Sequence, residues 1–183
     1  MSRRPPDLDD SALLRAARDW VERYGGTAAS LRAMLRRRWV RATAAGTPVD
    51  AAEAGTRVDA IVARFVDAGL VDDAAWAEAR AFTLSRRGLS RAAIRGRLSA
   101  KGVPPAATEA ALGALSDGVA DPDLVAAISL ARRRRLGPFR DPDLRAARRQ
   151  RDLAALGRAG FPFALAVRVI DASSVEDLED AVR

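Results

Sequence analysis

Ser90-Arg-Ala-Ala-Ile-Arg-Gly-Arg-Leu-Ser-Ala-Lys-Gly102 is a short helix written with its own start and stop. Ser90 can cap a helix N-terminus through its hydroxyl, Ile94 and Leu98 lie four apart on one face, and Gly102 suits the turn that ends a helix. The same pattern occurs in Thr27-Ala-Ala-Ser-Leu-Arg-Ala-Met-Leu-Arg-Arg-Arg-Trp39 and, more loosely, in Arg148-Arg-Gln-Arg-Asp-Leu-Ala-Ala-Leu-Gly-Arg-Ala-Gly160. Leu35, Leu98 and Leu156 fall at one repeat position, and Trp39, Gly102 and Gly160 stand four residues later. A period of roughly sixty residues points to stacked helical units rather than one globular core.

Working outward, each block is flanked by two further helical patterns. In the first unit, Leu13, Leu14, Ala17, Trp20, Val21 and Tyr24 are spaced as one helix face, and Gly25-Gly26 stops it. Thr27 caps the next helix, with Leu31, Met34 and Leu35 as its stripe. Residues 42–55, rich in Ala, Gly, Thr and Pro, read as a long loop. A third helix from near Thr56 then buries Val58, Ile61, Val62, Phe65 and Val66, and Gly69 ends it. In the second unit Asp72-Asp73 caps a helix carrying Trp76, Ala77, Ala79, Phe82 and Leu84, and Gly88 ends it. Pro104-Pro105 opens a helix with Ala107, Ala110, Ala111, Leu112 and Leu115, because a first-turn residue needs no N–H. Residues 116–123 break the chain before a third unit with helices at Leu124 to Leu136, about Asp143 to Ala159, and Phe161 to Ile170; the last carries Phe163, Leu165, Ala166, Val169 and Ile170.

The expected fold is therefore all-α, a tandem array of three three-helix repeats forming an elongated, curved molecule. Its parts are a disordered arm at 1–8, repeats at 9–69, 70–117 and 118–171, and an acidic tail at 172–183 that frays or forms one short helix. No strand-like alternation is long enough to propose a sheet.

Composition narrows function. Net charge is +7, the sequence pI is about 11.2, and Lys101 is the only lysine. Such a balance suggests an acidic partner, above all nucleic acid, although an arginine-rich average composition also raises the charge. The chain has no cysteine and no histidine, which removes thiolate chemistry and the commonest general base and metal ligand. No stretch is apolar for long enough to span a membrane, and Met1 to Asp10 lacks a signal peptide's apolar core. A monomeric cytoplasmic protein without cofactor or metal is expected.

The positive charge is grouped. Residues 27–41 carry Arg32, Arg36, Arg37, Arg38 and Arg41 with no acid, and residues 86–101 carry Arg86, Arg87, Arg91, Arg95, Arg97 and Lys101, again with none. Arg32/Arg36 and Arg91/Arg95 are four apart, so each pair shares a helix face. Stacked in an array, such faces would make a basic stripe suited to phosphate, which arginine grips through two hydrogen bonds at once. A solvated helix face is the plainer alternative. Arg132, Arg133, Arg134 and Arg135 are consecutive and must fan around a helix. Residues 132–151 hold nine arginines against Asp141 and Asp143, a balance of +7 that equals the whole chain's. Arg148 and Arg149 belong to this segment.

Trp20, Trp76, Phe65, Phe82 and Phe163 stand at core spacing. Trp39 ends a basic helix where the other units have glycine, and packing is favoured over base stacking for it. Catalysis finds little support. Helix capping explains Asp72-Asp73, no glycine-rich loop precedes a helix, and no nucleophile has a base. The acids at 171–180 lack metal-site spacing.

Gly69-Leu-Val-Asp-Asp-Ala-Ala-Trp-Ala77 resembles the GLLDDxxFA turn of the bacterial RecX family. Arg87-Gly88, Ile94-Arg95-x-x-Leu98 and Lys101-Gly102 resemble its RGxxxIRxxLxxKG stretch, and Leu153 to Ile170 its closing LxxLxxRGF segment, with Arg158, Gly160 and Phe161 in place. The resemblance covers about residues 10 to 170. It departs at Trp39, at the longer loop, at Trp76 in place of Phe or Tyr, and at Asp152, which stands where the other repeats have Leu31 and Ile94. It implies tandem three-helix repeats and a non-enzymatic regulator of the RecA recombinase. Such a regulator binds the RecA–single-stranded DNA filament and restrains recombination and the SOS response. The expected contacts, with single-stranded and also double-stranded DNA or the filament, are Arg32, Arg36, Arg37, Arg38, Arg86, Arg87, Arg91, Arg95, Arg97, Lys101, Arg132 to Arg135, Arg148 and Arg149. The alternative is a general helical DNA-binding or architectural protein with no RecA dependence.

Overall fold

In the computed structural model the described residues are 10–44, 51–117 and 121–182. All regular structure among them is helical: α1 (Asp10–Tyr24), α2 (Ala28–Ala44), α3 (Ala51–Asp67), α4 (Asp73–Arg86), α5 (Arg91–Ser99), α6 (Pro105–Ala114), α7 (Pro122–Arg134), a 3₁₀ turn (Gly137–Phe139), α8 (Pro142–Arg158), α9 (Phe163–Ile170) and α10 (Val175–Asp180). The all-α, three-helix architecture read from the caps and glycines is what the chain adopts. The expected arm at 1–8 lies outside the described residues.

Two compact units emerge. The first holds the described residues up to Trp76, together with Lys101–Pro104. Here α1, α2 and α3 pack on one another around Leu13, Leu31, Leu35, Val58, Val62 and Phe65. Leu13, Leu31, Leu35 and Val58 are fully buried, each contributing about 1.5–3 kcal/mol of transfer free energy. Trp39 joins this core, and α2 runs past it to Ala44 with no glycine stop. The loop expected over 42–55 is corrected at both ends, because α2 continues through Ala44 and α3 begins at Ala51, while 45–50 lie outside the described residues. Ala42 and Ala44 carry α2 onward and Ala51, Ala52 and Ala54 open α3, alanine being the strongest helix former.

The second unit holds Ala77–Ala100 and the described residues from Pro105 onward. Leu124, Leu130, Leu153, Leu156, Val169 and Ile170 form the centre of its largest core, and Leu178 of α10 packs there too. The acidic tail therefore forms the short helix rather than fraying, with a reciprocal Ser174–Asp177 capping box at its start.

Several aromatic and aliphatic expectations are corrected. Phe82 and Phe163 are largely exposed, as are Tyr24 and Val66. On α4 the buried stripe is Ala77, Ala81 and Leu84, whose small side chains leave Phe82 outside, where the Arg86 guanidinium lies 5.7 Å from its ring centre. Phe163 is the first residue of α9, one turn before the buried Ala166.

Two junctions explain the repeat's glycines. Buried Thr27 caps α2 by accepting from the Ser30 N–H at 3.1 Å, and its hydroxyl donates to the Lys101 carbonyl at 2.6 Å. The turn at Gly102 (φ +72°) then lies so close to Ala29 that a Cβ there would overlap it. In the second unit buried Ser90 caps α5 from the Ala93 N–H, and its own N–H donates to the Ala159 carbonyl at 3.2 Å. A Cβ at Gly160 (φ +90°) would come within 2.5 Å of the Ser90 hydroxyl. Trp39, at the equivalent position, packs into the core of its own unit.

Candidate nucleic-acid interface

The arginines expected to form stripes have diverse fates. In the first unit Asp59 of α3 comes up against the Arg32/Arg36 face: Arg32 donates to it at 2.6 Å and Arg36 lies 3.8 Å away. In the second unit Glu109 of α6 takes both hydrogen bonds of an Arg95 fork, at 2.8 and 3.0 Å. Those hydrogen bonds hold the Glu109 carboxyl below the usual carboxylate range and raise Arg95. The blocks free of acid along the chain are thus partly neutralised in space, each by the third helix of its own group.

The arginine-dense segment is also partly tied down. Arg132 pairs with Glu179 and lies over the Phe139 ring. Arg133 donates to the carbonyls of Arg86 and Arg87. Arg149 pairs with Asp171, and this hydrogen bond lowers the Asp171 carboxyl. Arg145 donates to the carbonyls of Ala172 and Ser173. Arg140 turns inward to Asp152, which is 2% exposed and also accepts from the Gly137 N–H at 3.0 Å. Arg37, Arg148 and Lys101 are exposed, while Arg38 and Arg91 are half-buried. Arg135 closes α7 in the left-handed conformation (φ 53°).

The second unit brings four further arginines together. Arg87, Arg97, Arg134 and Arg158 line one hollow of about 250 Å³ with a floor that includes Gly88, Ala93, Leu130 and Ala159. None of the four forms an ion pair among the described residues. Each sits where a helix ends: Arg87 just after α4, Arg97 in the last turn of α5, Arg134 and Arg158 as the last residues of α7 and α8. Unpaired carbonyls give helix C-termini partial negative charge, which favours a cation there without a carboxylate partner. Gly88 (φ +72°) makes the convergence possible, since a Cβ there would come within 2.6 Å of Leu130 on α7. Chemically the hollow suits an oxyanion such as a phosphodiester, held by forked guanidinium hydrogen bonds.

Sequence reasoning named Arg87, Arg97 and Arg134 among many and did not name Arg158 as a contact. The available signal was its place at the end of a repeat block, two residues after the buried Leu156. Among the described residues there is no cluster of acids that could hold a metal ion, and no helix is long and apolar enough to cross a membrane.

Comparison with known proteins agrees with the repeat reading. Residues 72–112 match the family model described as RecX, second three-helix domain. The chain is 38% identical over 172 residues to the Regulatory protein RecX of Myxococcus xanthus (strain DK1622), covering 93% of this chain and 90% of that protein. It is 36% identical over 110 residues to the Regulatory protein RecX of Agrobacterium fabrum (strain C58 / ATCC 33970), covering 60% of this chain and 56% of that protein. No solved structure matches significantly. With a matched three-helix domain at its centre and a relative aligned along nearly its whole length, the chain belongs to the RecX family of regulatory proteins.

Proposed function

We propose that this regulator of DNA repair acts on the RecA recombinase as an inhibitor, binding the RecA–single-stranded DNA filament and so restraining recombination and the SOS response. It does so in the cytoplasm, as a monomer, by binding rather than catalysis. The observation that carries the reading is the convergence of Arg87, Arg97, Arg134 and Arg158 without acid partners. A cluster of uncompensated arginines seats a phosphate backbone and reads no sequence, which is the contact a filament inhibitor needs. In the second unit Arg86, Arg91, Arg133, Arg135 and Arg148 add to this contact, and in the first unit Arg37, Arg38 and Lys101 are contacts of their own, whereas Arg32, Arg36, Arg95, Arg132 and Arg149 must first release a carboxylate. The groups at 9–69, 70–117 and 118–171 serve as its modules.

The test is RecA ATPase on single-stranded DNA, titrated with this protein below the RecA concentration. Strong inhibition at a small molar ratio, lost in an Arg97→Ala/Arg158→Ala variant, supports the reading. DNA binding with no effect on the ATPase moves the assignment to a general DNA-binding protein.

A further inference from the structure

The first unit carries a second cationic hollow, unlike the first in one respect: it has aromatic walls. Arg15, Asp19 and Arg23 follow one another at four-residue spacing on α1 and face Arg38 of α2 across about 470 Å³. Three arginines against one aspartate leave +2 around the hollow. Arg23 and Arg38 form no ion pair among the described residues, and Arg15 donates to the Ser11 hydroxyl. The Arg38 Nε is buried and has no hydrogen-bond acceptor. A buried donor without an acceptor is costly, unless something arrives to accept from it.

The walls are Trp20 and Tyr24. Trp20 is half-buried and held by the turn after α1, where even a Cβ at Gly26 would come within 2.7 Å of its ring. Tyr24 is 68% exposed, tilted 46° to Trp20 with ring centres 6.3 Å apart. The Arg23 guanidinium lies 6.0 Å from the Tyr24 ring centre. A phosphate alone has no use for an open aromatic face, and an apolar side chain would desolvate three arginines without replacing their hydrogen bonds. A nucleotide meets every feature. Its base offers a π-face to Tyr24, its ring nitrogens and carbonyls accept from Arg38, and its phosphate pairs with Arg15 or Arg23.

We propose that α1 and α2 form a base-binding site for single-stranded nucleic acid, with Tyr24 as the stacking platform and Arg38 as the donor to the base. The site deepens the filament-binding reading by naming what the first unit recognises, and it is tested without RecA. The full chain is titrated with a labelled oligothymidylate and with an abasic strand of equal length and charge. The expected result is about tenfold tighter binding of the base-bearing strand, as stacking of one base supplies. Tyr24→Ala abolishes this preference, Tyr24→Phe keeps it, and Arg38→Met reduces it. Equal binding of the two strands by the unsubstituted protein, or an unchanged preference in a folded Tyr24→Ala variant, overturns the proposal. Neither result bears on RecA inhibition, which the ATPase assay reads separately.

Discussion

The Asp73 carboxylate accepts a hydrogen bond from the backbone N–H of Ala28, 45 residues earlier, at 2.8 Å. Asp72 caps α4 itself, accepting from Ala74 and Ala75, so the two neighbouring aspartates serve two different helices. The device recurs 32 residues apart, where Asp123 of α7 accepts from the Arg91 N–H at 2.7 Å. Neither α2 nor α5 has an acid in its own first turn, and each receives its negative charge from the helix group that follows. Asp73→Ala is expected to lower stability by about 1 kcal/mol, with Asp73→Asn retaining most of it. Urea denaturation reads both, and equal stability of Asp73→Ala and the parent would exclude the capping role.

Gly102 and Gly96 lie six residues apart and predict opposite outcomes. Gly102 has φ +72° and no room for a Cβ beside Ala29, whereas Gly96 is helical with open space around it. Gly102→Ala should destabilise by about 2 kcal/mol, from left-handed strain and overlap together. Gly96→Ala should stabilise by about 0.5–1 kcal/mol. Thermal melts of the two variants are the check, and melting shifts of the same sign would contradict the structure.

What the sequence revealed here was local. Helix starts at Ser90, Thr27 and Asp72, and stops at Gly88, Gly102 and Gly160, depend on residues next to one another, so spacing alone exposed them. The long-range partners were hidden. Asp59 and Glu109 lie on other helices than the arginines they neutralise, and no pattern along the basic blocks announces them. Arg87, Arg97 and Arg134 of the four-arginine hollow stood among the expected contacts, but their meeting with Arg158 was not legible, because the ends of α4, α5, α7 and α8 gather one arginine each. Phe82, Phe163 and Tyr24 matched core spacing and are exposed, since a helical stripe fixes a face but not where the neighbouring helix stops covering it.

Asp152 shows the same limit from the inside. It occupies the position of Leu31 and Ile94, yet it is buried and receives three hydrogen bonds, two from Arg140 and one from the Gly137 N–H. Gly137 itself needs φ +54° and leaves no room for a Cβ against Ile170. The carboxylate thus ties the turn between α7 and α8 to α8. Asp152→Ala would strand a half-buried guanidinium and a backbone donor, at a cost of about 3–5 kcal/mol. Chemical denaturation measures this, and a loss under about 1 kcal/mol would mean that water replaces the carboxylate freely.

Binding to single-stranded DNA should fall with salt, and the slope counts the phosphates neutralised. Each of Arg97→Ala and Arg158→Ala is expected to lower the log–log slope by about 0.7. Arg149→Ala should change it little, because that guanidinium is committed to Asp171. Fluorescence titrations across a salt series decide. If Arg149→Ala lowered the slope as much as Arg97→Ala, the hollow would have no special standing.

Glu109 gives the most direct handle on the electrostatics. At neutral pH it is ionised and occupies the fork of Arg95, competing with any phosphate for the same donors. Its carboxyl is held low by the Arg95 hydrogen bond, so the pair is complete above the usual carboxylate range and is lost only as pH falls through the lowered value. Acidification toward pH 5 should therefore leave Arg95 engaged, and DNA affinity should not rise over that interval through this pair. Glu109→Gln removes the competing charge at every pH. It should tighten DNA binding severalfold at low salt and steepen the salt slope by about 0.7, as one more arginine becomes available. Both exposed side chains lie in water, so the substitution should leave the melting temperature nearly unchanged. Unaltered affinity in Glu109→Gln would show that the Arg95 face stays clear of the phosphate backbone, and would take Arg95 out of the interface.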